Sequence, residues 1–344
     1  MTKNEFAKLV GDAKGSLAYQ NYLDVREAVW RMIENCPREA APSKYWQEEI
    51  SGFDYMFDAS PLIMQKLRHH SYHLTGLYDY AYRKHHSRNA VKFSERLKLL
   101  KSLDRNNLLV SESPLLGGFG HEINGMLFNV DTVKFYESLI VLDKSGLLDQ
   151  FKKTNGKKFV LEIGSGWGGF AYQFKTLFPK VIYALVDFPE TMLFSATYLK
   201  TLFPEKKVFL SDGSRASISN LKIENYDFIF MPHYAWGGWN FRAPDLILNQ
   251  ASFQEMTTAQ ADKYIKEAKK WGVPNIYSWN RDHSPNNPEL SAVSSILSKY
   301  YNIKEIEMPL PKSGALGIRN VLRQLIGQKQ GHSDRDYRHL LGYL

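Results

Sequence analysis

The feature that most constrains the fold is an apolar run that ends in a glycine-rich loop, "VLEIGSGWGGF" at residues 160–170. In such a segment a short strand, a tight turn and the first turn of a helix follow one another. Further apolar runs come after it, among them "VIYALVD", "YDFIFMP" and "DLILNQASF", and amphipathic segments separate them. This alternation of strands and helices predicts an α/β fold built on a Rossmann-like, doubly wound and mostly parallel sheet.

The first third of the chain has a different pattern and predicts helices. In "QNYLDVREAVWRMIENC", apolar residues recur at helical spacing and share one face. Ser60 followed by Pro61 is typical of the N-cap and first position of a helix. We therefore predict a helical N-terminal region over residues 1–115, a ligand-binding domain over 116–327 and a loosely attached polar tail over 328–344.

The composition limits the compartment and the partners. The chain has one cysteine, Cys36, and a net charge of +8. It contains no stretch of about 18 apolar residues, and its N-terminus "MTKNEFAKLVGDAKG" lacks the apolar core of a secretory signal. We therefore expect a cytoplasmic protein without a membrane span. The positive charges are dispersed rather than clustered, so we expect no nucleic-acid partner.

The glycines of the loop fit two kinds of ligand. Gly164, Gly166 and Gly169 have the G-x-G-x-x-G spacing of dinucleotide-binding turns. Gly164, Gly166 and Gly168 have the G-x-G-x-G spacing found where S-adenosylmethionine binds. Glu162, two residues before the first glycine, would repel a pyrophosphate at the helix N-terminus but suits an ammonium group. The loop therefore favours S-adenosylmethionine.

Two more acids follow the next strands and support the same cofactor. Asp187 ends the second apolar run, about 20 residues after the loop, where an acid can accept hydrogen bonds from ribose hydroxyls. Asp212 ends the third run in "FLSDGS", the usual position for a side chain that binds the exocyclic amine of adenine. The predicted S-adenosylmethionine-binding residues are Glu162, Gly164, Ser165, Gly166, Gly168, Asp187, Phe188, Asp212, Gly213 and Asn249.

The segments "LEIGSGWGGF", "LVDFPETMLFSATYL" and "DLILNQASFQEMTTAQADKYI" together resemble the bacterial sugar O-methyltransferase family. The similarity spans roughly residues 111–283 and is most distinctive in the "N-x-x-S-F-x-E-M" pattern. It implies a class I, S-adenosylmethionine-dependent methyltransferase domain over residues 116–327. It also implies methylation of a sugar hydroxyl in polysaccharide or glycoconjugate biosynthesis, with a nucleotide-sugar or a glycan as acceptor. The helical first third is then expected to shape the acceptor site or a homodimer contact.

Methyl transfer to a hydroxyl needs a base or a metal that takes the proton. The segment "SFQEM" resembles the "LHDW" segment of plant-type O-methyltransferases, in which the histidine is the base. Gln254 stands at that position here, and an amide cannot take a proton. The remaining catalytic candidates are Glu255, His121 in the loop "GGFGHEINGM", His233 in "MPHYAW" and His283 after "WNRD". His69 and His73 lie at i and i+4 of a predicted helix, the spacing of a metal pair, but the sequence indicates no third ligand, so we predict no metal site.

Three other functions fit parts of the pattern. An O-methyltransferase of a non-sugar small molecule, such as a polyketide, would use the same cofactor residues. An NAD-dependent oxidoreductase would also have a glycine-rich loop, but Glu162 argues against it. A non-catalytic protein that organises a glycan assembly complex would not need the three acids at successive strand ends.

Overall fold

The computed structural model describes residues 1–83, 87–152, 156–237, 239–283, 287, 289–309 and 337–344. Within these residues the chain forms an eight-stranded β-sheet and a separate two-stranded hairpin. The strands are β1 (His121–Ile123), β2 (Met126–Phe128), β3 (Phe159–Ile163), β4 (Ile182–Asp187), β5 (Val208–Leu210), β6 (Phe228–Pro232), β7 (Leu246–Gln250), β8 (Asn275–Arg281), β9 (Asn302–Glu305) and β10 (Tyr337–Tyr343).

The strand order confirms the predicted fold class. In space the order is β5-β6-β4-β3-β7-β8-β10-β9, and every neighbouring pair is parallel except the two that β10 makes. This is a Rossmann-like, doubly wound and mostly parallel sheet. The chain moves from β3 through β4 to one edge and then returns to β7 on the other side of β3. Open α/β sheets bind ligands at the carboxyl ends of strands where the order reverses in this way.

Helices cover both faces of the sheet. They are α1 (Lys3–Lys14), α2 (Leu17–Glu34), α3 (Lys44–Ser51), α4 (Pro61–Met64), α5 (Leu67–His70), α6 (Tyr72–Thr75), α7 (Ser87–Leu103), α8 (Val130–Lys144), α9 (Asp149–Lys152), α10 (Gly169–Leu177), α11 (Met192–Leu202), α12 (Arg215–Ser219), α13 (Thr258–Lys270) and α14 (Val293–Ser298). Helices α2, α8, α10 and α11 bury apolar side chains on one face, and α13 and α14 do so on the other. None of the helices in the described ranges has both the length and the apolar character needed to cross a bilayer.

The N-terminal helices share a hydrophobic core with the sheet. Tyr22 of α2 is fully buried in the cluster that covers one sheet face, and Asn21 donates a hydrogen bond to Thr201 of α11 (3.2 Å). Ser60 caps α4 and Pro61 is its first residue, as the sequence predicts. The described part of residues 1–115 contains helices and no strand, and the boundary at residue 115 stays a prediction.

The C-terminal segment is part of the sheet. Strand β10 lies between β8 and β9 and pairs antiparallel with both. Leu340 and Leu341 are only 2% and 9% exposed. The residues around Leu340 and Leu341 are mostly polar, and for this reason the sequence does not predict a strand there. The prediction of a loosely attached tail is therefore wrong for residues 337–344, while residues 328–336 lie outside the described part.

The placement of β10 predicts the effect of a core substitution. We expect Leu340→Ala to lower the free energy of unfolding by about 2–5 kcal/mol, because it removes a buried side chain from a packed core. Tyr343→Ala, at the 44% exposed end of the same strand, should lower it by about 0.5 kcal/mol or less. Urea denaturation followed by circular dichroism measures both values. Equally small losses in the two variants would contradict the strand.

Candidate functional site

Three glycines of the loop after β3 adopt left-handed conformations. Gly164, Gly166 and Gly168 have φ angles of 71°, 54° and 84°, which residues with a β-carbon rarely adopt. A β-carbon on Gly164 would also lie 2.0 Å from the Oγ of Ser252, in the loop after β7. Gly169, by contrast, is the first residue of α10. A β-carbon on Gly169 would collide with the rings of Trp167 and Phe135, so the loop requires glycine at the positions of both spacings.

Asp187, the last residue of β4, holds this loop in place. Its Oδ2 accepts hydrogen bonds from the backbone N–H of Gly166 (2.7 Å) and the hydroxyl of Ser165 (3.3 Å). Its Oδ1 accepts from the backbone N–H of Phe188 (2.8 Å). Burial raises the pKa of the carboxyl to about 6, although these hydrogen bonds favour the charged form. The carboxyl is thus mainly ionised at neutral pH, at some cost in free energy.

Glu162 lies on β3 beside this loop and is 2% exposed. The hydroxyl of Tyr183 donates a hydrogen bond to its Oε2 (2.9 Å). Burial raises the pKa of Glu162 to about 8, and the nearby charge of Asp187 adds to this effect. The carboxyl is therefore largely protonated at neutral pH, and contact with an ammonium group would favour its charged form.

A cavity lies at the carboxyl ends of β3, β4, β6 and β7, and the N-terminal region forms part of its wall. Trp46 of α3 and Leu74 of α6 line it, and the ring of Trp46 lies 5.5 Å from that of Phe188. The predicted site residues that line the cavity are Glu162, Gly164, Ser165, Gly166, Asp187, Phe188, His233 and Glu255. The predicted residues Gly168, Asp212, Gly213, Asn249 and His121 are not part of its wall.

An extra strand separates Asp212 from the cavity. The sequence order suggests that β5 lies beside β4, but β6 occupies that place and β5 lies outside β6. Pro232 of β6 pairs with Asp187, and His233 follows it at the cavity. The carboxylate of Asp212 instead accepts a hydrogen bond from the backbone N–H of Ser214 (2.8 Å). The expectation that three acids meet at neighbouring strand ends is therefore wrong for Asp212. Gly213, which follows it, is also outside the cavity wall.

Asn249 connects strand ends rather than facing the cavity. Its buried side chain donates a hydrogen bond to the carbonyl of Ile163 (2.9 Å). Its Oδ1 accepts from the backbone N–H of Phe253 (3.0 Å) and from Nδ2 of Asn280 (2.8 Å). These bonds fix the ends of β3 and β8 to the loop after β7, so the predicted contact with a cofactor is wrong. Gly168 likewise serves the turn itself, as the N-cap residue of α10.

The predicted bases lie in different surroundings. His121 lies in β1 between the rings of Tyr82 (4.9 Å) and Phe93 (5.2 Å), away from the cavity wall. The prediction of His121 as the base is therefore wrong, and His283 also lies outside the cavity wall. Glu255 ends a short 3₁₀ turn after β7 and lines the cavity. Gln254 is buried and bonds to the hydroxyl of Tyr337 (3.0 Å), so its side chain lies away from the cavity.

His233 lines the cavity and has one ring nitrogen that can accept a hydrogen bond. Its Nε2 lies 2.7 Å from the carbonyl oxygen of Ala40, and its ring lies 4.7 Å from that of Phe188. Because a carbonyl only accepts, Nε2 carries a proton, and Nδ1 is the acceptor in the neutral ring. Burial lowers the pKa of His233, so the neutral ring is favoured. Nδ1 is buried and has no hydrogen-bond partner among the described residues.

Three further residues that line the cavity are not specified by any sequence motif. They are Lys134 of α8, Gln250 at the end of β7, and Ala251. Ala251 has a φ angle of 57°, a conformation that costs a residue with a β-carbon about 1–2 kcal/mol, and such strain is common at functional sites. In "LILNQ", Gln250 shares a strand face with Leu246 and Leu248. A polar side chain at the end of this apolar face is the sequence feature that could have indicated its place in the cavity wall.

A buried cluster of charges supports the glycine loop from behind. Arg68 of α5 donates through Nε to Glu112 (2.6 Å), and its guanidinium lies 3.8 Å from Asp131 in the first turn of α8. The indole N–H of Trp167, in the loop itself, donates to Asp131 (3.0 Å). Burial opposes the ionisation of Asp131, but the charges of Lys134 and Arg68 outweigh it and lower the pKa. We call Arg68, Glu112, Asp131 and Trp167 the Arg68 cluster.

Comparisons with models of protein families and with curated proteins give no match. Solved structures show a weak similarity. An O-methyltransferase family protein from Burkholderia thailandensis is 11% identical with a TM-score of 0.31, over 73% of this chain and 71% of its own. Precorrin-6y C5,15-methyltransferase from Geobacter metallireducens is 10% identical with a TM-score of 0.34, over 60% and 88%. Human N-acetylserotonin methyltransferase, solved with S-adenosylmethionine, is 9% identical with a TM-score of 0.33, over 73% and 66%.

The raised pKa of Glu162 makes the stability of the protein depend on pH. The unfolded chain releases this proton near pH 4.5, whereas the folded protein keeps it until about pH 8. The folded state binds more protons between these values, so its stability falls as the pH rises. We expect Glu162→Gln to exceed the wild type in unfolding free energy by on the order of a few kcal/mol at pH 8, and by much less at pH 5.

Urea unfolding of both proteins across this pH range measures the difference. Glu27→Gln is the control, because its carboxylate is 60% exposed. If the profiles of the wild type and Glu162→Gln run parallel, Glu162 does not hold its proton in the folded state.

Proposed function

We propose that the protein is an S-adenosylmethionine-dependent O-methyltransferase. The observation that carries this proposal is the arrangement of Glu162, Asp187 and the glycine loop around one cavity, where the strand order reverses. S-Adenosylmethionine has an ammonium group, ribose hydroxyls and an aromatic base. The cavity has a group for each part: the carboxyl of Glu162 for the ammonium, the carboxyl of Asp187 for the ribose, and aromatic rings for the base.

In this proposal the cofactor lies across the strand ends. Its ammonium group contacts Glu162 on β3, and its ribose contacts Asp187 on β4. Its adenine lies beyond the ribose, against Phe188 and His233, because β6 takes the place beside β4. Aromatic side chains thus take the role that the sequence suggests for Asp212. The loop after β7, on the other side of β3, would then hold the groups that act on the acceptor.

We also propose that the acceptor is a sugar hydroxyl, presented on a nucleotide-sugar or a glycan. Trp46 and Leu74 from the N-terminal region close the cavity, and aromatic rings pack well on the apolar faces of sugars. The net charge of +8 favours an anionic acceptor, and the resemblance over residues 111–283 points the same way. A hydroxyl of a non-sugar natural product fits the same cavity and is the second candidate. The single Cys36 supports a cytoplasmic location.

We propose Glu255 as the general base. It follows β7 and lines the same cavity as Glu162 and Asp187. A carboxylate there can take the proton of the acceptor hydroxyl while the oxygen attacks the methyl carbon in line with the departing sulfur. His233 lies on the adenine side of this arrangement, and we assign it to binding.

Isothermal titration calorimetry tests the cofactor. We expect the protein to bind S-adenosylhomocysteine and not NAD. Asp187→Ala and Glu162→Ala should each weaken binding about tenfold or more, on the order of 1.4 kcal/mol. Asp212→Ala is the matched control, because its carboxylate does not line the cavity. Binding of NAD alone would end the proposal, and unchanged affinity in both cavity variants would remove the site assignment.

Mass spectrometry tests the acceptor and the base. A panel of nucleotide-sugars, oligosaccharides and non-sugar alcohols is searched for the mass of one added methyl group. With the acceptor that is methylated, Glu255→Gln should lower kcat about 10²–10⁴-fold and leave the affinity for S-adenosylhomocysteine unchanged. His121→Phe, which preserves the ring packing in β1, should leave kcat unchanged. Full kcat in Glu255→Gln would assign the base to another residue.

A further inference from the structure

The polar residues at the end of β7 have no role in the cofactor contacts described so far. We propose that Gln250, together with Lys134, binds the carboxylate of an α-amino acid group whose ammonium contacts Glu162. The inference rests on the proposed function, since the methionine part of S-adenosylmethionine supplies such a group. It makes the cavity selective for ligands that carry both charges of the amino acid.

The register of the sheet brings these residues to one place. Glu162 of β3 pairs with Leu248 of β7, and paired residues of neighbouring strands share a face of the sheet. Gln250 follows two residues later and therefore faces the same side as Glu162. Helix α8 covers this face, and Lys134 from its first turns lines the same cavity. An acidic acceptor and two donors of hydrogen bonds thus surround one end of the cavity.

The amide of Gln250 has one satisfied end and one unsatisfied end. Its Oε1 accepts a hydrogen bond from the hydroxyl of Ser138 (2.9 Å) on α8. Its Nε2 is buried without a hydrogen-bond partner among the described residues, and the whole residue is 8% exposed. A buried amide nitrogen without a partner is unfavourable, because it has lost its hydrogen bonds to water. A ligand oxygen at this position would recover that free energy.

The hydroxyl of Ser138 sets the orientation of this amide. It donates a hydrogen bond to Oε1 of Gln250 (2.9 Å) and a longer one to the carbonyl oxygen of Lys134 (3.3 Å). Because a donor contacts the amide through its oxygen, Oε1 is the end that points to α8. Nε2 is the end without a partner among the described residues, and Gln250 lines the cavity.

The charges favour a carboxylate over a neutral hydroxyl as the ligand. Lys134 already lies 3.1 Å from Asp131, but an ammonium group has three donors and can bond to a second anion. An amide nitrogen and a cation side by side match the two oxygens of a carboxylate. Glu162, on the same face, matches the ammonium group of the same amino acid.

Calorimetry with two ligands isolates this contact. We use S-adenosylhomocysteine and its decarboxylated analogue, which keeps the ammonium group and lacks the carboxylate. The wild type should bind S-adenosylhomocysteine about tenfold or more tightly than the analogue. Gln250→Leu should lose about tenfold in affinity for S-adenosylhomocysteine and change by about twofold or less for the analogue. Gln250→Glu should lose more for S-adenosylhomocysteine, because it places an anion beside the carboxylate.

Ser138→Ala tests the bond that orients the amide of Gln250. It should reduce the preference for S-adenosylhomocysteine over the analogue, whereas Ser145→Ala, at the C-terminal end of the same helix, should not. Equal affinity of the wild type for both ligands, or equal losses for both ligands in Gln250→Leu, would overturn the inference and leave the proposed function intact. If the wild type binds neither ligand, the proposed function fails and this inference fails with it.

Discussion

The buried guanidinium of Arg68 holds together segments that are far apart in the chain. It pairs with Glu112 before the β1–β2 hairpin and with Asp131 of α8, while Trp167 ties the glycine loop to the same carboxylate. A buried charge without its partner costs several kcal/mol. The N-terminal helices, α8 and the loop must therefore assemble together. The walls of the cavity follow from this constraint, because α3 and α6 belong to the region that Arg68 anchors.

Residues whose position depends on local sequence were predictable. Glu162, Gly166 and Asp187 lie at strand ends that short apolar runs define, and a strand end fixes where the next few residues lie. Asp212 was not predictable in the same way, because the sequence does not show that β6 lies between β4 and β5. Asn249 also follows a strand, but its neighbours Phe253 and Asn280 use its hydrogen bonds.

Glu162 does not have the charge that the sequence suggests. A charged carboxylate beside the loop would repel a pyrophosphate, but burial raises the pKa of Glu162 to about 8, so the group is largely neutral at pH 7. Repulsion between Glu162 and a pyrophosphate is then too weak to exclude a dinucleotide. The glycines do not discriminate between the two ligands, because Gly164, Gly166 and Gly168 are left-handed and Gly169 has no room for a β-carbon. Binding of a cation next to Glu162 also becomes coupled to the release of a proton.

The position of β10 has a consequence for how the chain folds during synthesis. Strands β8 and β9 are made before residues 337–343, yet β10 lies between them. Until the ribosome has added those residues, one edge of β8 has no partner, and unpaired edges promote association between chains. His339 arrives with the same strand and bonds to Tyr277 and Glu137 in the interior. The nascent chain thus completes its sheet and its buried polar contacts in one late step.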